Sequence, residues 1–325
     1  MLELSDPLWC KLNSAYGFAK DIPLRLHALA MQWDENDARE LMYGDLMHQD
    51  TCYGATYAAV PYLLHLALPE NNILQRMDIA IFLGHCVLCA FGRVADDTPP
   101  ASGLKGLAVT LDSWEETRES YRWMLDRGAE RQMVADCREI VDLAPPTGSE
   151  LQKFEIIRDD FVAFLPDIQS LCERAFHEHS DDEYIPRYLL SGVAATEKLT
   201  ELAGLLESGE DGCFSCSACG AGIDYIMFGD RMALYIGQSQ PKAVSDPGTE
   251  NSVLDFQDGE PKRADCMVIP YHDLEQQRSP AADKMINLAQ QAENPELESL
   301  LRNFLGKFTC TQCEETCQVC SDIPR

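Results

Sequence analysis

Toward its C-terminal end the chain carries two Cys-x-x-Cys hooks that lie far apart in sequence. One reads Cys213-Phe-Ser-Cys216-Ser-Ala-Cys219-Gly220, the other Phe308-Thr-Cys310-Thr-Gln-Cys313, with Cys317-Gln-Val-Cys320 following. Four thiolates on two tight hooks supply the tetrahedral sulfur cage that Zn²⁺ accepts. A single ion taken by both hooks clips shut the whole segment between them. Cys216, Cys219, Cys310 and Cys313 are the expected ligands. Gly220 lets the backbone after Cys219 turn its N–H groups toward a sulfur. Cys213, Cys317 and Cys320 stand near enough in sequence to substitute for a ligand or to form a second, partial site, and thiols that bind no metal are the plain alternative. Catalytic zinc keeps an open position and usually includes His or carboxylate ligands. Here the local ligands are all thiolates and no His lies close to either hook, so the expected zinc is structural.

A chain of 325 residues is long enough for one large domain and a smaller one. Its 14 cysteines are many. The opening Met1-Leu-Glu-Leu-Ser-Asp6 is acidic and has neither a basic region nor an apolar run. No stretch reads as the ~18 apolar residues that span a bilayer. The expected location is therefore the reducing cytoplasm, with the cysteines as thiols or metal ligands rather than disulfides. The net charge of −28, from 54 acidic against 26 basic residues, argues against direct binding to nucleic acid or an anionic membrane. It suits solubility, and it also suits a basic protein partner. Nothing in the sequence sets the oligomeric state.

Helical periodicity dominates the first two thirds. Leu26, Leu29, Ala30 and Trp33 make one stripe behind Asp21 and Pro23, and Ala59, Val60, Leu63, Leu64 and Ala67 make another around Pro61, where a kink is expected. Residues 94–110 read as a long loop. A capping box is expected at Ser113-Trp-Glu-Glu116, followed by amphipathic helices to Leu206. Such pairing suggests a stacked array in which each unit buries its apolar face on the next. The pattern then changes, and a β-hairpin is expected at 223–228 and 231–236, the only strands expected. Residues 237–265 read as a polar loop and 281–305 as a helix leading into the second hook.

The segments Ala15-Tyr-Gly-Phe-Ala-Lys-Asp-Ile-Pro23, Leu41-Met-Tyr-Gly-Asp45, His48-Gln49, Tyr53-Gly-Ala-Thr56 and Ala59-Val-Pro61-Tyr-Leu63 resemble a group of bacterial HEAT-repeat proteins. The likeness is rich in motifs over residues 12–68, fades to periodicity through about residue 206, and returns at the split zinc ribbon of Cys216, Cys219, Cys310 and Cys313. It implies a mainly α fold, a HEAT-like α-solenoid of antiparallel helix pairs over 1–206. A zinc-ribbon module with hairpin, acidic loop and helix would follow over 207–325. It implies no activity, since HEAT arrays serve mainly as binding surfaces.

Other chemistry-bearing groups read as structure. His48, Gln49 and Asp50 sit in a loop where catalytic groups can stand, but His48 is expected to pin the loop. Cys86 and Cys89 lie inside a helical run and read as core. His177, Glu178 and His179 read as a solvated helix end. Nucleophile-elbow, zinc-protease and phosphate-loop motifs are absent from the sequence. The expected function is that of a cytoplasmic binding protein and not an enzyme, an immunity-type inhibitor that neutralises a basic, nucleic-acid-directed toxin. The alternatives are an enzyme using the His48 loop and a scaffold without inhibitory activity.

Overall fold

A computed structural model describes residues 1–68, 72–91, 111–127, 134–209, 211–228, 231–235, 256–257, 260–261, 266–269, 279–310 and 312–320. The chain divides into two compact units, Met1–Ala175 and Phe176–Arg325. It is mainly helical, with small antiparallel strand pairs. The expected loop at 94–110 lies outside the described residues, as does most of that at 237–265.

The first unit opens with a 3₁₀ turn, Pro7–Lys11, capped by Asp6, whose Oδ1 accepts from Leu8 N at 2.9 Å. A two-stranded ladder follows, β1 (Asn13–Ser14) on β2 (Gly17–Phe18). Next come α1 (Ile22–Met31) and α2 (Glu35–Glu40), and α2 widens into a π-helical turn at Leu41–Leu46. A second ladder pairs β3 (Met47–His48) with β4 (Thr51–Cys52). Then follow α3 (Gly54–Leu66), α4 (Ile73–Phe91), α5 (Leu111–Asp126), α6 (Val134–Asp142), α7 (Gly148–Ala163) and α8 (Leu165–Glu178), within which the first unit ends at Ala175.

The two ladders correct the expectation that this region is helical throughout. In the second, Gln49 and Asp50 both take positive φ (48° and 59°), which closes a two-residue hairpin with the twist that the strands need. Gln-Asp is not one of the dipeptides that announce such a turn, so the sequence reads as an interhelical loop.

At the centre of this unit is α3, nearly apolar all round. Ala55, Tyr57, Ala59, Val60 and Leu63 are buried, and α1, α4 and α7 all pack on it. The small residues at its start let these neighbours approach closely, and Phe161 of α7 meets the Tyr57 ring edge-on at 4.8 Å. Helix α3 runs through Pro61 without ending. Its last carbonyls are taken by buried side chains of α4: Gln75 Nε2 donates to Leu66 O at 2.8 Å and Arg76 Nε to Ala67 O at 3.3 Å. Contrary to expectation, α4 is long and apolar enough to span a bilayer; 72% of its apolar window is buried, as in a core helix. Helix α5 starts at Leu111, which places Ser113 inside it rather than at its cap.

The second unit begins with the pair α9 (Ile185–Thr196) and α10 (Thr200–Ser208), which pack on one another. The buried Ser191 hydroxyl donates to Ala203 O at 2.9 Å and fixes their register. A four-stranded antiparallel sheet follows in the order β10-β7-β6-β5, built from β5 (Asp211–Ser215), β6 (Gly222–Phe228), β7 (Arg231–Tyr235) and β10 (Cys266–Ile269). Strands β8 (Phe256–Gln257) and β9 (Glu260–Pro261) form a separate pair. The expected hairpin is thus β6–β7, extended by a strand on either side. Helices α11 (Pro280–Gln291) and α12 (Pro295–Phe304) are capped by Ser279 and Asn294. The last ladder pairs β11 (Lys307–Thr309) with β12 (Thr316–Gln318). Tyr225 of β6 is 1% exposed, edge-on to Phe304 of α12 at 5.4 Å, and its hydroxyl donates to Gly209 O at 3.2 Å.

Candidate metal centre

Each Cys-x-x-Cys hook is the turn of a hairpin. The first joins β5 to β6 after the pair Ser215↔Gly222, and the second joins β11 to β12 after Thr309↔Thr316. Their backbones match bond for bond. In the first, Cys216 N donates to Ala221 O at 2.8 Å and Gly220 N to Cys216 O at 2.8 Å. In the second, Cys310 N donates to Glu315 O at 2.9 Å and Glu314 N to Cys310 O at 2.8 Å. The residue after the second cysteine is left-handed in both: Gly220 has φ 74° and Glu314 φ 61°. Phe214 and Phe308, each two residues before its hook, meet edge to face at 5.4 Å and lock the hairpins together.

This packing gathers the four sulfurs expected from the sequence. The Sγ atoms of Cys216, Cys219, Cys310 and Cys313 all lie within 4.8 Å of one another. Cys216 and Cys313 are 3.8 Å apart, and Cys219 and Cys310 are 3.9 Å apart. A tetrahedron of sulfurs about 2.3 Å from a central ion has edges of about 3.8 Å, so the cluster has the size of such a cage. It is far wider than a disulfide, about 2.05 Å. Cys216 and Cys310 are buried, Cys313 is half-buried and Cys219 is exposed. Among the described residues these four form the group of potential ligands that is close enough to hold an ion.

Their electrostatics calls for a cation. The Cys219 N–H, aided by that of Ala218 and by the Cys317 thiol, brings the Cys216 thiol down to about 6. The Ala221 N–H acts likewise on Cys219, but desolvation and the sulfurs of Cys216 and Cys310 outweigh it and raise that thiol. Cys313 receives the Glu315 N–H, yet desolvation and the three neighbouring sulfurs push it up to about 12. The backbone thus favours a thiolate at Cys216, while desolvation and crowding resist one at Cys219 and Cys313. A divalent ion among them removes that repulsion.

Of the remaining cysteines near the hooks, Cys317 on β12 stands 3.6 Å from Cys216, and Cys213 on β5 is exposed. The sequence reading missed that β5 and β11–β12 flank the hooks. The signal was present as a short internal repeat, Phe-Ser-Cys-x-x-Cys at 214–219 and Phe-Thr-Cys-x-x-Cys at 308–313.

The other flagged groups are placed elsewhere. His48 lies on β3, half-buried, with its Nδ1 3.4 Å from the Tyr16 hydroxyl. Cys86 and Cys89 are buried in α4, and the Cys89 thiol donates to Asp50 O at 3.2 Å. Interaction with Cys52 and burial raise Cys89 far above the ordinary thiol range, as befits core packing. His177 is exposed near the end of α8.

Fold and site together define a mainly helical protein with a cysteine cluster able to bind a metal ion. Compared with protein-family models, curated proteins and solved structures, the chain gave no match.

Proposed function

We propose that this protein is a binding module that carries a structural zinc ribbon and captures a basic protein on an acidic helical surface. The observation that carries the reading is the net charge of −28. A surface so charged raises the local concentration of a positively charged partner and speeds its approach. An immunity-type inhibitor of a nucleic-acid-directed toxin fits this chemistry, because the groove such a toxin offers to nucleic acid is itself positive. Part of the acidic surface lies on α5, where Glu115, Glu116 and Glu119 line a shallow cavity with Arg118.

The finer architecture in this reading is a HEAT-like α-solenoid. Its support is the packing of sequential helices before residue 206 and near it, α1 on α2, α3 on α4, α5 on α6 and α9 on α10. Within the first unit the contact of α3 with α7 departs from nearest-neighbour stacking. Zinc fits the cage through its all-thiol donor set and tetrahedral spacing.

The test is capture from the native host on immobilised protein, followed by binding kinetics with the retained partner. A basic protein should bind near equimolar ratio. Its association rate should fall steeply between 0.01 and 0.1 M salt, as the Debye length shrinks from ~30 to ~10 Å, with a smaller change in dissociation. A neutral or acidic partner, or rates indifferent to salt, would overturn the reading.

A further inference from the structure

We propose that Cys317 is a reserve ligand of the cysteine cage, able to take the place of Cys313 beside Cys216. The inference rests on the metal reading above and extends it to a fifth sulfur. Cys317 Sγ lies 3.6 Å from Cys216 Sγ, and Cys313 Sγ lies 3.8 Å from the same atom. Both separations match the edge of a thiolate tetrahedron, about 3.8 Å for bonds of about 2.3 Å. Two sulfurs therefore stand at ligand spacing from Cys216: Cys313, one of the four that all lie within 4.8 Å of one another, and Cys317 just outside that group.

The fold holds Cys317 ready. It sits in β12, opposite Phe308 in the ladder, and is 6% exposed. Its strand leaves the second hook through Glu315, whose N–H serves the Cys313 sulfur and whose carbonyl holds Cys310 N. Exchange of the two sulfurs thus needs a local shift of one short hairpin and no new chain path. Cys213 has no such relation: it pairs with Asp224 across the sheet and is exposed. The substitution is redox-neutral. The departing sulfur takes up a proton as its bond to the ion breaks, and the incoming thiol gives one up as it donates its lone pair. The gain is persistence: Cys219 and Cys313 are the two ligands open to solvent, Cys313 is the one whose hairpin also carries Cys317, and a reserve keeps four sulfurs on the ion when it is lost.

Cobalt(II) reports the number of thiolates directly through its sulfur-to-metal charge-transfer band. The full chain, C313S, C317S and the double variant C313S/C317S are loaded with cobalt and titrated against zinc. The full chain and both single variants should show the same band. The double variant should lose about a quarter of it, as one of four thiolates goes, and should bind zinc more weakly than either single variant. A C313S protein that matches the double variant, or that takes up no cobalt while C317S does, overturns the reserve role. A weakened band in C317S alone also overturns it, since Cys317 would then be a resting ligand. A full chain that shows no four-thiolate band sinks the metal reading itself, an outcome distinct from failure of the C313S arm.

Discussion

Gly220 and Glu314 hold the same place in the two hooks, and both have left-handed backbone, at φ 74° and 61°. An L-residue there is strained by about 1–2 kcal/mol, offset by about 0.5–1 kcal/mol because glycine loses more freedom on folding. An added Cβ at Gly220 meets nothing within 4 Å, so packing adds no cost. Gly220→Ala should therefore weaken the hook by about 1 kcal/mol, and Glu314→Gly should strengthen its counterpart by about 0.5–1 kcal/mol. Hook formation and metal capture are one equilibrium. At about 1.4 kcal/mol per decade, the first variant should bind zinc roughly fivefold more weakly and the second about two- to fivefold more tightly. Glu314→Gln removes the carboxylate while keeping the strain, and so isolates the charge. Competition against a chromophoric zinc chelator measures all four proteins. An unchanged affinity in Gly220→Ala, or a Glu314→Gly protein no tighter than Glu314→Gln, would refute the claim that backbone strain separates the hooks.

Chelation should expose the amides of 211–228 and 307–318 to hydrogen exchange before those of α3 and α4; uniform exposure would show that the cage does not hold this region. Acid should weaken the first unit through two carboxylates. Burial alone would raise Asp6, but the Lys153 ammonium and the Leu8 N–H win and hold it below 3.8. Glu150, where burial is likewise outweighed by Lys11 and Thr147, is held below 4.5. Because both are depressed in the fold, the stability they lend is complete above their unfolded values and lost as pH falls through the folded ones. Melting followed from pH 6 downward should show the loss setting in at about 4.5, and Lys11→Met with Lys153→Met should flatten it; an unchanged slope would remove these pairs from the account. His48→Ala should leave partner binding intact, and a folded variant that loses it would direct attention back to the β3–β4 turn.

The four clustered thiols were legible because two Cys-x-x-Cys hooks, one followed by glycine, state their chemistry locally. Their hairpin setting was only half legible. Residues 223–228 and 231–236 are apolar runs on either side of Gly229-Asp230, but Asp211–Ser215 and Lys307–Thr309 are too short for periodicity to speak. Glu314 hides the likeness of the second hook to the first, because a left-handed position filled by glutamate carries no sequence mark. The helices of the first unit were readable from their stripes, that of α3 included, whereas the centrality of α3 was not, since Ala55, Tyr57 and Ala58 are buried outside the stripe of Ala59, Val60 and Leu63. Helix α4 read as an ordinary core element even though it is as apolar as a membrane segment, because Arg76 and Asp78 interrupt its start.

The sulfurs that meet across the cage are 91 and 97 residues apart in the chain. Synthesis at about 5–20 residues per second delivers the second hook roughly 5–20 s after the first. Throughout that interval the nascent protein displays Cys216 and Cys219 as a bare dithiol, so the stage at which it is most open to chemical damage is set by translation speed and not by the stability of the finished fold.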